Sequence, residues 1–346
     1  MGNKLSEEEK KKIKRILVIQ TAFIGDVILV TPLIAAIKKI FSQSLIDVLL
    51  IPQTADLLDN NPKINSILLF DKRKNKFLAF LKTLKILRDN KYDLAISPHS
   101  SVTTALLIYF SGIPIKVGFA RWISQILLTH KLPHLKNTFK IKKNLYLLSP
   151  FSDEEFLIQT ELFPSEKMYE KAKNILSALK VNCEKIVAVA PGSNWFTKRW
   201  PKEHFEQLVK KLSDLNYGII FIGSKEERNL CEEINPQKNY VNLAGELSLL
   251  ESAAVISLCD IMICNDSGAL HIADAMQTDV FAFFGPTVKS IGYFPFRGND
   301  KVFEVDLDCR PCSSHGTNAC PLGHHNCMRF IEPDFVVSQV LKKFEV

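Results

Sequence analysis

Short apolar runs that read as buried strands alternate along this chain with longer stretches whose apolar residues recur every three or four positions. "RILVIQ" is followed by "GDVILVTPLIAAIKKIF", "LIDVLLIP" by "TADLLDNNP", "INSILLFD" by "KFLAFLKTLKILRDN", and "YDLAISP" by "SVTTALLIYFSG". Period-2 or fully apolar runs of this length predict strands, and 3.6-residue periodicity predicts helices. We read "GDVILVTPLIAAIKKIF" as one helix and expect Pro62 to stop the short helix before it. Strand–helix–strand repetition restricts the fold to α/β with a parallel sheet covered by helices. A less regular middle, 132–185, contains one clear helix, "FPSEKMYEKAKNILSALK", opened by Pro164 and Ser165. A second series then starts at "KIVAVAPGS" and ends at "DVFAFFGP". Two parallel sheets follow, in domains drawn at 1–170 and 171–346, the last helix returning to the first. Ligands of such sheets bind at the carboxyl ends of strands.

Composition agrees with two folded domains: 346 residues, 47% apolar and 23% charged. No apolar run reaches 18 residues, and the start "MGNKLSEEEKKKIKR" has no signal-peptide core, so a cytoplasmic location is expected. The net charge of +7 is unevenly spread. Residues 1–150 hold 24 Lys and Arg against 10 Asp and Glu, a net of +14; residues 151–346 hold 20 against 27, a net of −7. The excess in "KKKIKR", "DKRKNK" and "KIKKN" reads as a surface that meets an anion, either a membrane face, a phosphorylated substrate or nucleic acid, or else as solvated lysines.

Chemistry is expected at four strand ends. "QTAFIGDVILVTP" places Gly25 and the carboxylate Asp26 after the first strand, where Asp26 is either a helix N-cap or a catalytic group. "APGSNWFTKRWP" offers Ser193, Thr197 and the cation Lys198. "CNDSGALHIADA" puts Asp266, Ser267 and Gly268 at a helix N-terminus, which suits an anion, with His271 just inside; Asp266 or Ser267 as a plain N-cap is the alternative. "FFGPT" adds Thr287, a hydroxyl donor or part of a turn. The chain lacks G-x-G-x-x-G and G-x-x-x-x-G-K-[ST], against a dehydrogenase and a P-loop enzyme. A diphosphate held without an obligatory metal is the better reading. Cys309-x2-Cys312-x7-Cys320-x6-Cys327 is spaced for a structural zinc or for free thiols. The Cys-rich segment lies away from the basic half, against a nucleic-acid-binding protein.

These motifs, in this order from about residue 15 to 335, resemble glycosyltransferase family 9, the ADP-heptose:lipopolysaccharide heptosyltransferases; "CRPC…CPLGHHNC" is most similar to the heptosyltransferase II branch. The resemblance implies a GT-B fold: two Rossmann-like domains with parallel sheets facing a central cleft, the first for the acceptor and the second for the ADP-sugar. It implies inverting transfer of heptose to the inner core of a lipopolysaccharide precursor, with Asp26 as catalytic base and no cofactor needed for catalysis. On the donor side it implies Ser193, Thr197, Lys198, Glu226 (with Glu227 beside it), Leu247, Asp266, Ser267, Gly268, His271 and Thr287. On the acceptor side it implies Gly25, Lys116 and Arg121. The partners implied are an ADP-sugar, a lipid A–Kdo type acceptor and the anionic inner face of the cytoplasmic membrane, where the protein would sit peripherally; no nucleic acid is implied. The stretch "SGIPIKVGFARWISQILL" departs from the family's arginine-rich pattern and loosens the acceptor assignment more than the donor. The alternative is a family 9 enzyme with another nucleotide-sugar or a non-lipid acceptor.

Overall fold

A computed structural model of the chain describes residues 4–71, 75–121 and 126–345. It divides into two units, one ending at Phe163 and one beginning at Pro164. The basic residues Lys72, Arg73 and Lys74, and residues 122–125 of the segment that departs from the family pattern, lie outside the described residues.

The first unit runs α1 (Glu7–Lys12), β1 (Arg15–Ile19), α2 (Ile24–Ile28), α3 (Thr31–Ile40), β2 (Leu45–Leu50), β3 (Ser66–Leu69), α4 (Lys76–Asn90), β4 (Leu94–Ser97), α5 (Val102–Phe110), β5 (Ile115–Phe119), β6 (His130–Leu132) and α6 (Lys140–Tyr146). Its parallel sheet has the order β3-β2-β1-β4-β5-β6. β1 lies between β2 and β4, with Val18 opposite both Val48 and Ile96. Ile16 to Ile19 are buried, as a strand covered on both faces requires. The strand order reverses between β1 and β4, which makes that crevice the expected ligand position.

The single helix expected over residues 25–41 is two, and Pro32 is the reason. Pro32 has no N–H to give the Ile28 carbonyl, so the helix breaks there. The Thr31 hydroxyl donates to Ile28 O instead, at 2.8 Å. The buried Asn144 side chain of α6 donates to Leu29 O, also at 2.8 Å. The helix expected before Pro62 is a 3-10 segment, Pro52–Leu58.

The second unit runs α7 (Glu166–Asn182), β7 (Ile186–Ala190), α8 (Lys202–Asp214), β8 (Gly218–Phe221), α9 (Arg228–Ile234), β9 (Tyr240–Asn242), α10 (Leu249–Ile256), β10 (Ile261–Asn265), α11 (Gly268–Ala275), β11 (Asp279–Phe283), β12 (Lys301–Phe303), α12 (Asn326–Arg329) and α13 (Pro333–Phe344). The order β12-β11-β10-β7-β8-β9 repeats the first plan, with reversal between β7 and β10. α13 packs on α8. Trp200 anchors the core. Its ring stacks on Phe283 at 4.2 Å, and its indole N–H donates to Ile331 O at 2.9 Å. No helix among the described residues is long and apolar enough to cross a membrane.

At the far end of α11 from its first residues, Asp274 is 1% exposed. Its carboxylate lies 3.3 Å from Arg297 Nε, and the Arg297 guanidinium also meets Asp279 at 3.1 Å and Asp300 at 3.0 Å. Burial first, then the Asp300 charge, pushes the Asp274 carboxyl up to about 7, against the pull of Arg297. Between about pH 4 and that value the unfolded chain loses this proton while the folded chain keeps it, so stability falls as pH rises through the window. Asp274→Asn, close in shape to the protonated acid, removes this slope. Thermal melts should show the variant gaining several degrees on the parent between about pH 5 and about pH 8; a constant offset would place the titration elsewhere.

Candidate functional site

Each sheet brings its expected residues to the carboxyl edge of its central strands. In the first unit the chain leaves β1 through the fully buried Gln20, whose side-chain amide donates to the Asp26 carbonyl at 3.4 Å. α2 starts at Ile24 with Phe23 in the N-cap position, so Asp26 is the third residue of the helix and not its N-cap residue. Gly25 precedes it, half-buried. The Asp26 carboxylate and the Lys140 ammonium are 3.6 Å apart, each 16% exposed. Lys140 opens α6, and the Asn144–Leu29 bond fixes α6 against the α2–α3 corner, four residues on and on the same helix face.

The loop after β6 packs back on the end of β5 and on the loop after β4. His134 stacks on Phe119 at 4.7 Å and meets the Ser100 hydroxyl at 3.2 Å. Burial holds His134 below the usual imidazole range, and the charges of Lys140, Arg121 and Lys143 add to the effect. Arg121 is exposed, just beyond β5. No acidic residue occurs between Asp93 and Asp153, so the side chains of this stretch whose charges reach His134, namely Lys140, Arg121 and Lys143, are all cations. Lys116 is not among them. It lies near the amino end of β5, with its amino group donating to Ile113 O at 2.7 Å, and burial lowers its affinity for a proton. Strand direction separates it from Asp26. Lys140 and His134 were not singled out from the sequence; the acid-free run around them was the signal.

In the second unit Lys198 Nζ meets Asp266 Oδ2 at 2.6 Å, and the Thr287 hydroxyl donates to the same oxygen at 2.7 Å. Three strand ends thus converge on one carboxylate: Lys198 from the loop after β7, Asp266 after β10 and Thr287 after β11. The lysine is 14% exposed and the aspartate 6%. Ser267 is the N-cap residue of α11, which begins at Gly268. His271 lies buried one turn in, edge-on to the Tyr293 ring at 6.3 Å.

Asn265 fixes this convergence. Its amide donates to Pro191 O at 2.8 Å and Gly192 O at 3.2 Å, and its carbonyl oxygen accepts from Trp200 N at 2.9 Å. Beside it opens a crevice of 380 Å³, lined among others by Ser193, Arg199, Ser224 and Glu226, a volume in the range of small-molecule sites. Glu226 is exposed at its rim. Glu227 has a structural part: its carboxylate accepts from Ser224 N at 2.8 Å and lies over Gly192, where a Cβ would stand 1.7 Å from it. Leu247 is half-buried in the turn before α10.

Thr197 does not present its hydroxyl for a ligand. The hydroxyl donates to Thr317 O at 2.9 Å and accepts from Thr317 N at 2.8 Å. The cysteine-rich segment is therefore a strap across the Lys198 loop. His325 adds an imidazole N–H to Thr197 O at 2.9 Å, and the Arg310 guanidinium donates to Phe284 O and Thr287 O, both at 3.1 Å. The four thiols do not fit a metal. Cys327 is buried against Gly285 and belongs to the core cluster, Cys312 is exposed, and Cys309 and Cys320 are half-buried. Among the described residues no group of three or more His, Cys, Asp or Glu is arranged to hold an ion. The segment is held by threonine, arginine and histidine bonds, so the zinc expectation is not carried by the structure.

Comparison with known proteins matches this geometry to a family. Lipooligosaccharide heptosyltransferase 2 of Campylobacter jejuni subsp. jejuni serotype O:6 is 26% identical over 92% of this chain and 96% of its own length. Lipopolysaccharide heptosyltransferase 3 of Escherichia coli K12 is 29% identical over 76% and 80%. The solved structure of E. coli ADP-heptose lps heptosyltransferase II superposes with a TM-score of 0.79 at 23% identity, covering 95% of this chain and 98% of that one, which shows the shared GT-B fold. The model of glycosyltransferase family 9 (heptosyltransferase) matches residues 80–322, and the chain is a glycosyltransferase of that family.

Proposed function

We propose that this enzyme transfers heptose from ADP-heptose, with inversion, to the inner core of a lipopolysaccharide precursor at the cytoplasmic face of the membrane. The observation that carries the reading is the convergence of Lys198, Asp266 and Thr287 at the second sheet's reversal point, in a chain whose relatives are heptosyltransferases. A diphosphate arriving there meets an ammonium held by Asp266, whose carboxylate Thr287 fixes in turn, and the free N–H groups of α11. Such preorganised charge stabilises a leaving group without reorganisation at the moment of reaction. Lys198 and the helix N-terminus supply the positive charge that a metal would otherwise bring, so the reading includes no metal in catalysis.

Asp26 acts as the general base. It takes the proton of the acceptor hydroxyl as that oxygen bonds to the anomeric carbon. The bond from that carbon to the diphosphate breaks on the opposite side, and ADP leaves with the electron pair. Lys140 orients the carboxylate. Arg121 and Lys143, with Lys140, favour an acceptor that carries carboxylates or phosphates, as a lipid A–Kdo precursor does.

Asp26→Asn should keep ADP affinity and lose about 10²–10⁴-fold in turnover; near-parental ADP release from ADP-heptose and a defined lipid acceptor would remove the base role. Lys198→Ala should weaken ADP binding about 10-fold or more by calorimetry, since hydrogen bonds to charged groups contribute roughly 1.5–3 kcal/mol. Unchanged affinity would move the diphosphate elsewhere. Turnover should survive EDTA, and a loss restored by Mg²⁺ would overturn the metal-free mechanism. A donor panel in which UDP-sugars outperform ADP-heptose would redirect the reading to another nucleotide-sugar.

A further inference from the structure

α4 is packed from one side only. Thr83, Leu84 and Leu87 are buried, with Ala79 and Phe80 against the same core cluster. A helix lying on a soluble domain turns polar residues outward. α4 instead exposes Phe77, Leu78 and Leu81, at 70%, 61% and 44%. These are not residues of a frayed end. The Asn75 side chain accepts from the backbone N–H groups of Phe77 and Leu78, both at 3.1 Å, and holds that turn in place.

Residues three and four apart share a helix face, so Lys82, Lys85 and Arg88 continue the same outer surface, all of them exposed. Asp89 is the one acid of the helix. At its far end Arg88 Nε donates to Phe110 O at 2.9 Å, which brings the exposed Tyr109 and Phe110 of α5 alongside. The chain enters α4 from the carboxyl end of β3. The apolar turn therefore lies toward the sheet edge where β1 delivers Asp26, and Phe23, 63% exposed, stands on that edge as well.

We propose that the outer face of α4 seats the protein on an anionic lipid surface. Phe77, Leu78 and Leu81 enter the acyl boundary, and Lys82 and Lys85 meet headgroup phosphates. An apolar cluster on one face of a helix, interleaved with lysines, is the composition of an interfacial helix. The +14 net charge of residues 1–150 gives the same part of the chain a field of the matching sign. An apolar protein partner would satisfy the three side chains and leave the lysines facing nothing; a bilayer with anionic headgroups satisfies both. The inference rests on the lipid-acceptor reading for its purpose, since docking concentrates the enzyme where its acceptor is anchored.

The test is co-sedimentation of the full chain with vesicles of phosphatidylethanolamine and phosphatidylglycerol, and with phosphatidylcholine alone. The parent should partition to the anionic vesicles and be released by salt. Phe77→Ser/Leu78→Ser/Leu81→Ser and Lys82→Glu/Lys85→Glu should each lose about tenfold or more in partitioning, while their melts match the parent because every changed side chain is exposed. ADP release with a soluble acceptor lacking acyl chains should not change in either variant, whereas release with the vesicle-embedded acceptor should fall with the partitioning. Parental partitioning of both variants, or equal binding to neutral vesicles, overturns the docking surface. A parent dimer that the triple serine variant makes monomeric assigns the face to a second copy and overturns it too. If the parent releases no ADP with either acceptor, the transfer reading fails while the vesicle result still decides the docking.

Discussion

The Lys198–Asp266–Thr287 convergence in the second unit depends on the hydrogen bonds of one buried amide. Asn265 ends β10, the strand that carries Asp266, and its side chain reaches both the loop after β7 and the backbone of Trp200. Those contacts set the path of the segment between Ser193 and Trp200, and Lys198 is on that segment. A buried side-chain amide with no partner costs about 1–3 kcal/mol, so the loop cannot drift without leaving polar groups unpaired. Trp200, stacked on Phe283 and bonded to Ile331 O, ties the same segment to the core. The Lys198–Asp266 pair is precise because its two backbones are joined behind it.

The first unit solves a different electrostatic problem. Its reversal point pairs a carboxylate with one lysine, whereas the carboxylate of the second unit accepts from a lysine and a threonine. The region from β4 to α6 contributes no acid, and its Lys140 meets the Asp26 carboxylate at 3.6 Å. Lys140 holds Asp26, and His134 packs on Phe119, its affinity for a proton lowered by burial.

Much of this was legible in the sequence, because strands buried on both faces and amphipathic helices carry their periods openly. The range of α4 and the positions of Asp26, Lys198 and Asp266 at strand ends follow from pattern alone. The break before α3 was missed because Thr31, Leu33, Ile34 and Ile37 keep the helical spacing across it; only the missing N–H of Pro32 reveals it. β6 and β12 are three-residue strands, too short to display a period. The resemblance put Lys116 with Arg121 on the acceptor side, but strand direction places the two toward opposite ends of β5. Thr197 looked like a ligand donor because its partner, Thr317, lies 120 residues away. The cysteine spacing suggested a metal, whereas the bonds that shape the segment come from the residues between and beside the cysteines.

The strap made by Arg310, Thr317 and His325 has a consequence in time. A ribosome delivers the β7 loop long before it delivers these three residues. The second sheet's strands are all synthesised first, and the loop that carries Lys198 still lacks the contacts that Thr197 makes with Thr317 and His325. Chains emerge N-terminus first at about 5–20 residues per second, so every strand of the second sheet is made before the strap that sets the Lys198 loop. An interrupted chain ending before the strap would lack both the set geometry of Lys198 and the core side chains of Met328, Ile331, Val336 and Val340.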